Sequence, residues 1–175
     1  GSGKGTLCKR LSEEYGLKHL SVGDLLRGIM SSPNTDMSII NKVQNGELVP
    51  VEVLAPILKT QIDKEKQNKW RKILVDGFPR LLDQVAPVEA MVSPIIGSPV
   101  LVLFFDCPEE VAKKRFLTRK LVGREADDDW TFRKRYQEFT KLNPSIVEYY
   151  RTRGVLLAVG RTNYTVNLYS DAGTD

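Results

Sequence analysis

Three glycines, a lysine and a threonine stand together in residues 1–6, in the order Gly-Ser-Gly-Lys-Gly-Thr. Glycines permit positive φ and let successive backbone N–H groups approach a ligand, and the helix predicted to follow directs its positive end at the same point. Lys4 adds a cation for the outer phosphates, and the Thr6 hydroxyl could hold a magnesium ion. A flexible Gly/Ser end is the alternative, but Leu7 and Leu11 begin an amphipathic pattern directly behind the motif. The segment therefore predicts a phosphate-binding loop.

The loop begins inside the full Walker pattern, which has a further glycine and a buried strand before it. We therefore predict that the first core strand is missing and that the sequence is a fragment or a truncated product. A strand with about five large aliphatic side chains contributes on the order of 10 kcal/mol. The whole stability of a typical domain is about 5–15 kcal/mol. The alternative hypothesis that follows is a truncated product that does not fold by itself.

Two acids occupy positions where they could act on a bound metal. Asp76 ends the apolar run 72–75 and is followed by Gly77. An acid at the carboxyl end of a parallel strand stands at the ligand-binding edge of the sheet and can hold magnesium through water. Asp24 follows Ser21, a candidate helix cap, and is either a first-turn acid favoured by the helix dipole or a group near the magnesium. We favour the second interpretation.

Arginines follow several of these segments. Phosphoryl transfer between two nucleotides brings several negative charges into one place, so catalysis must come from positioning and from cations. Arginine suits this task because its planar fork holds two phosphate oxygens and stays charged when desolvated. The alternative is that these arginines lie on solvated helix faces. The candidates are Arg27, Arg80, Arg119, Arg124 and Arg135.

Composition narrows the class of protein. The 175 residues carry a net charge of +4, but the basic residues are scattered, which argues against nucleic-acid binding. No apolar run predicts a membrane span. Cys8 and Cys107 show no metal or redox spacing and fit reduced thiols in a cytoplasmic protein, with nucleus and mitochondrion left open. His19, the single histidine, is interpreted as an ordinary residue beside a strand.

Strands alternate with helices along the chain, which predicts an α/β fold with a parallel sheet and helices on both faces. Continuous apolar runs predict strands that are buried on both faces. We predict a single domain over residues 1–175, with helices at 6–15, 51–66 and 131–150, the last interrupted or bent near Pro144, and strands near 18–20, 72–78, 99–106 and 155–159.

The segments Ser-Val-Gly-Asp-Leu-Leu-Arg, Asn-Gly-Glu-Leu-Val-Pro, Asp-Gly-Phe-Pro-Arg and Phe-Phe-Asp-Cys-Pro-Glu-Glu occur in this order behind the loop. Together with a Gly-Arg lid sequence they resemble the nucleoside monophosphate kinases of the short-lid type, the adenylate and UMP-CMP kinases. The resemblance covers residues 1 to about 159. It implies a P-loop NTPase fold with a core of five parallel strands, a helical monophosphate-binding insertion over residues 21–67 and a short lid over residues 121–129.

The resemblance also implies roles for single residues. ATP would be bound by Gly1, Ser2, Gly3, Lys4, Gly5, Thr6, Arg119 and Arg124. The monophosphate would be bound by Val22, Arg27, Glu47, Val49, Gly77, Arg80, Gln84, Arg124 and Arg135. Magnesium would be held through water by Thr6, Asp24 and Asp76. The catalytic groups would be Lys4, Arg80, Arg124 and Arg135. In the lid, Asp127 matches one member of an acid pair whose partner position is Ala126.

We therefore expect a magnesium-dependent monomer that converts ATP and a nucleoside monophosphate into ADP and a nucleoside diphosphate. Gln84 matches the glutamine with which adenylate kinases bind adenine, whereas Val22 departs from their threonine. A hydrogen-bonding group at the base edge is worth about 1–3 kcal/mol, more than one apolar wall residue. AMP is therefore favoured as the acceptor. UMP or CMP is the alternative, and a catalytically inactive nucleotide-binding module is the alternative of another class.

Overall fold

The structure is a computed structural model that describes residues 1–33, 35–119 and 128–160. Seven α-helices and four strands lie in the described residues. The helices are α1 (Lys4–Tyr15), α2 (Val22–Ile29), α3 (Met37–Gln44), α4 (Val51–Gln67), α5 (Val85–Ile96), α6 (Glu109–Thr118) and α7 (Asp129–Thr152). The strands are β1 (Lys18–Ser21), β2 (Ile73–Asp76), β3 (Val102–Phe105) and β4 (Leu156–Val159), and a 3₁₀ turn spans Leu82–Gln84.

The strands pair in parallel, as predicted. β1 pairs with β2 and β3 with β4, so that the described strands form two two-stranded sheets rather than one sheet of five. The prediction that the apolar strands are buried on both faces is wrong for β2 and β3, whose residues are half-buried. The reason is that each described strand has a hydrogen-bonded neighbour on one edge only. The α/β fold class itself is confirmed.

Local chemistry fixes both ends of α1. Gly3 precedes the helix with φ of 90°, and Gly16 follows it with φ of 60°. Both values lie in the left-handed region, which glycine enters at little cost. The helix begins at Lys4, two residues before the predicted start, so Lys4 and Thr6 share its first turn. The positive end of the helix dipole therefore coincides with the lysine.

The largest core cluster joins α4 and α5 to the first sheet. Leu58 and Ile62 of α4 are almost fully buried and pack with Leu20 of β1 and with Val88 and Val92 of α5. A smaller cluster of Ala112, Phe116 and Phe132 fixes α6 against α7. Burial of such aliphatic and aromatic side chains contributes about 1.5–3 kcal/mol each. These clusters hold β2, α6 and α7, three of the elements that carry the candidate site.

α7 is one uninterrupted helix of 24 residues with Pro144 inside it, so the predicted interruption does not occur, while a bend near Pro144 stays a prediction. It begins where Asp128 accepts a hydrogen bond from the backbone N–H of Thr131 at 2.7 Å, the usual role of an N-cap aspartate. None of the helices in the described ranges combines the length and the apolar character that a membrane crossing requires.

Candidate active site

The glycine loop lies against α6. A side chain at Gly1 would collide with the backbone carbonyl of Ala112, and a Cβ at Gly3 would lie 4.0 Å from Nη1 of Arg115. The sequence analysis did not identify Arg115, because this residue lies on α6, far from the loop along the chain, and no local motif marks it. The loop therefore has a helix N-terminus, a lysine and a further guanidinium around it, all of which favour an anion.

Lys4 has charged neighbours on more than one element. Desolvation lowers the pKa of its ammonium group, the nearby carboxylate of Asp76 opposes this shift, and the guanidinium groups of Arg80 and Arg119 lower the pKa further. The structure thus brings together the loop lysine, the acid at the end of β2 and two of the predicted arginines. A cation in such surroundings gains stability when a polyanion binds beside it.

Asp76 lies at the carboxyl end of β2 and pairs in register with Ser21 at the end of β1. Its Oδ2 atom lies 4.0 Å from the position of a Cβ on Gly5 and 3.6 Å from Nε2 of His19. The acid therefore stands between the glycine loop and the first sheet. This is the ligand-binding edge that the sequence predicted.

Arg80 follows Asp76 at the same sheet edge. Desolvation lowers the pKa of its guanidinium group, whereas Glu138 of α7 and then Asp76 favour the charged form. Glu138 is a second group that sequence reasoning missed, because it lies far along the chain on a helix interpreted only as structural. Its carboxylate favours the charged form of Arg80 near the lysine.

Asp24 and Arg27 form an ion pair within α2, three residues apart. The side chain of Asp24 is 66% exposed, and that of Arg27 is 24% exposed. The Ser21 hydroxyl caps this helix by accepting a hydrogen bond from the backbone N–H of Asp24, as predicted. The predicted metal acid and the predicted phosphate arginine are thus paired with each other, and within the described part of the chain Arg27 is not among the charged neighbours of Lys4.

Arg119 and Arg135 meet at one aromatic ring. The guanidinium carbon of Arg119 lies 4.4 Å from the centre of the Phe116 ring, and that of Arg135 lies 5.7 Å from it. Cation–π contact places a guanidinium without neutralising its charge. Phe116 is buried, so it is a fixed platform for both arginines.

The loop before α4 contacts the start of α7. A side chain at Gly46 would collide with the guanidinium group of Arg135. Next to it, Glu47 forms an ion pair of 2.8 Å with Lys134, and this hydrogen bond lowers the pKa of the Glu47 carboxyl. The predicted acceptor-binding loop and the predicted phosphate arginine are therefore in direct contact.

A cavity of about 160 Å³ lies beside this loop, lined by residues 48–51 and by Leu81, Asp83 and Gln84. Val49 and Gln84, two predicted acceptor-binding residues, form part of its wall, whereas Val22 is buried in the main core cluster. The Gln84 amide oxygen accepts from the backbone N–H groups of Arg80 and Leu81, and its nitrogen donates to the carbonyl of Val49 at 3.4 Å. Gln84 thus joins the Arg80 segment to the cavity wall.

We expect Gly46→Ala to slow turnover by displacing Arg135. The new Cβ would occupy the position of the guanidinium group of Arg135, which is a predicted catalytic residue, and misplacement of such a group by about 1 Å can cost about 100-fold in rate. Steady-state kcat with saturating substrates measures the effect. Gly154→Ala is the matched control, because its φ of 68° resembles the 69° of Gly46 while no atom lies within 4 Å of its Cβ position. Equal loss of kcat in both variants would show that backbone strain alone is responsible.

Several predicted positions lie outside the described residues. They are Arg124, Ala126 and Asp127, and with them most of the predicted lid. The end of that range, Asp128 and Asp129, forms the start of α7.

A glycine loop at a helix N-terminus, with a lysine, a strand-end carboxylate and arginines around it on parallel α/β architecture, defines a phosphate-loop nucleotide-binding protein. The family model for adenylate kinase matches residues 1–155, and the chain belongs to the adenylate kinase family.

Three relatives show the range of similarity. A probable UMP-CMP kinase 2 of Arabidopsis thaliana is 40% identical over 95% of this chain, and a uridylate kinase of Saccharomyces cerevisiae is 36% identical over 98%. Adenylate kinase isoenzyme 1 of Bos taurus is 32% identical over 99%. The chain spans 60% of the length of the first relative, 83% of the second and 88% of the third.

Proposed function

We propose that this protein is a nucleoside monophosphate kinase that transfers a phosphoryl group from ATP to a nucleoside monophosphate and gives ADP and a nucleoside diphosphate. The observation that carries the proposal is the grouping of Lys4, at the glycine loop, with Asp76, Arg80 and Arg119 as its charged neighbours. Both substrates are polyanions, and this group of cations can lie between them.

In this proposal each group has one task. The N–H groups of residues 1–6 and the Lys4 ammonium bind the donor phosphates, and Arg80 grips the acceptor phosphate with two parallel N–H donors. Arg119 and Arg135, placed by Phe116, neutralise charge that develops on the transferred group. Transfer is direct and in line, so no side chain forms a covalent intermediate.

The donor set fits magnesium. A threonine hydroxyl and two carboxylates, from Thr6, Asp24 and Asp76, are hard oxygen ligands of the kind that Mg²⁺ binds directly or through water. When bound, the ion would supply positive charge that stabilises the transferred phosphoryl group. Asp76 stands beside the loop already, whereas Asp24 must leave its ion pair with Arg27 to take part.

Two observations bear on the acceptor. Gln84 in the cavity wall supports AMP, because a glutamine can hydrogen-bond adenine. The higher identity to UMP-CMP kinases supports UMP or CMP, and we keep this as the second candidate. We assign the acceptor site to residues 21–67 and the lid to residues 121–129, in a cytoplasmic monomer without a nucleic-acid or membrane partner.

An acceptor assay tests the proposal. The protein is incubated with Mg·ATP and with AMP, UMP or CMP in parallel, and the diphosphate products are separated by chromatography. We expect turnover with the highest kcat/KM for AMP. A higher kcat/KM for UMP or CMP would replace AMP by the second candidate. If folded protein turns over none of the three, the kinase proposal fails and the inactive nucleotide-binding module takes its place.

A further inference from the structure

Three side chains of different chemistry converge beneath the glycine loop. Cys8 comes from α1, His19 from β1 and Asp76 from β2. One ligand atom from each lies within 4.8 Å of those from the other two, and within the described ranges no other group of three such side chains does so. A thiol, an imidazole and a carboxylate are the three protein ligand types that bind Zn²⁺.

The strand register explains half of this arrangement. In the parallel pair, His19 lies opposite Leu74 and Ser21 opposite Asp76, so His19 and Asp76 are two positions apart. Side chains alternate between the faces of a strand, so residues offset by two share a face. Nε2 of His19 lies 3.6 Å from Oδ2 of Asp76, and the two side chains are only 17% and 13% exposed.

Neither His19 nor Cys8 has an interaction in the described part of the chain that explains why its side chain is largely buried. Nε2 of His19 is buried and has no hydrogen-bond partner within the described part of the chain. Cys8 is a free thiol that is 7% exposed. Buried polar atoms are normally paired, so an unsatisfied ring nitrogen that faces a carboxylate and a thiol indicates a further ligand.

We propose that Cys8, His19 and Asp76 form a binding site for a soft divalent cation of the zinc class, with water as the fourth ligand. In a tetrahedral site with bonds of about 2.0–2.3 Å, neighbouring ligand atoms lie about 3.3–3.6 Å apart. The separation of His19 from Asp76 already fits, and the remaining pairs, which lie within 4.8 Å, need to close by about 1.5 Å at most.

The ligand types discriminate between metals. A thiolate and an imidazole favour zinc over magnesium, which takes oxygen ligands. Because Asp76 would be held by the soft cation, it could not serve magnesium, and occupation of this site inhibits phosphoryl transfer. Lys4, which lies close to both Cys8 and Asp76, opposes the incoming charge. The inhibition rests on the proposed function, whereas the binding does not.

Metal binding and inhibition of phosphoryl transfer are tested separately, and a cobalt and zinc titration tests the binding. Co²⁺ is titrated into the protein, and the thiolate-to-cobalt charge-transfer absorption is recorded; Zn²⁺ is then titrated to displace it. We expect the absorption in the unmodified protein and in Cys107→Ser, which removes the other free thiol. We expect it to vanish in Cys8→Ser. In His19→Gln the affinity should fall by about 100-fold or more, because loss of even an outer-shell partner costs about 10–100-fold.

The kinase assay with added Zn²⁺ gives the second readout. Zinc should inhibit the unmodified protein and Cys107→Ser, while Cys8→Ser should need at least about ten times more zinc. Cobalt absorption without kinase activity would leave the metal site standing and refute the proposed function. Absence of the absorption in active protein, or its survival in Cys8→Ser, would refute the metal site. Circular dichroism of each variant establishes whether it is folded. If Cys8→Ser does not fold, the cobalt affinity of His19→Gln decides whether the metal site exists.

Discussion

Lys4→Met is expected to lower kcat for phosphoryl transfer by about 1,000-fold or more, because it removes the cation that we assign to the transferred phosphoryl group. Removal of a single preorganised donor costs about 100- to 1,000-fold, and a cation at a transferred phosphoryl group is worth about 10³–10⁵. The N-terminus of α1 supplies only about half a positive charge and Asp76 is negatively charged, so neither replaces the lysine. Stopped-flow or coupled kinetics with saturating ATP measure the loss.

The matched control is Lys9→Met, an exposed lysine of the same helix. It should retain kcat within about twofold. The free energy of unfolding gives a further check, because the direction of its change in Lys4→Met can be predicted. Because the folded state lowers the pKa of Lys4, it disfavours the ammonium form, and this cost is present at pH values below the folded pKa. Lys4→Met should therefore unfold at the same denaturant concentration as the parent or a higher one near neutral pH. A folded variant with near-normal kcat would contradict the assigned role.

Helix ends and strand positions were predictable where a single residue dictates them. Gly16 ends α1 with positive φ, and Ser21 caps α2 through its hydroxyl, as their residue types predict. Burial of the strands was not predictable in the same way, because it depends on which strands lie alongside. β2 and β3 are apolar along their length, but each has one described neighbour and remains half-buried.

Contacts between distant segments account for most of what the sequence did not reveal. Cys8, His19 and Asp76 have no recognisable metal spacing along the chain, and only the β1–β2 register and the packing of α1 bring them together. Glu138 lies more than fifty residues beyond Arg80 on α7, and no local pattern marks it as a partner. Residue type predicts which chemistry a side chain can perform, and register and packing decide which other groups it meets.

Gln84 shows how one residue can combine two tasks. The resemblance implies a base-binding amide, and the structure places this amide in the cavity wall. The same amide oxygen also receives the backbone N–H groups of Arg80 and Leu81. A change at Gln84 should therefore move both the base pocket and the phosphate arginine. We therefore expect acceptor preference and acceptor affinity to be coupled through this side chain.

Arg80→Lys is expected to raise KM for the acceptor monophosphate and to lower kcat, with a combined loss of about 100-fold or more in kcat/KM. Arginine holds two phosphate oxygens with a rigid pair of N–H donors, and lysine keeps the charge but loses this geometry. The surroundings of Arg80 favour arginine as well. Arg80 is an exposed residue, but desolvation by the surrounding protein atoms still lowers the pKa of its guanidinium group, whereas Glu138 and Asp76 favour the charged form. A lysine, whose ordinary pKa is lower, would lose its proton more readily in the same place.

Arg133→Lys is the matched control for the same chemical change. Arg133 lies on α7, its side chain is 68% exposed, and it pairs with Asp129 within the helix. An exposed ion pair of this kind contributes little, so both kinetic constants should stay within about twofold. The relative change in KM for the monophosphate and in KM for ATP decides whether Arg80 binds the acceptor or the donor. The backbone N–H of Arg80 donates to Gln84 in the wall of the proposed acceptor cavity, so replacement of Arg80 should change KM for the monophosphate far more than KM for ATP. The opposite split would move Arg80 to the donor side, next to Arg119, and would leave Arg27 and Arg135 to bind the acceptor phosphate.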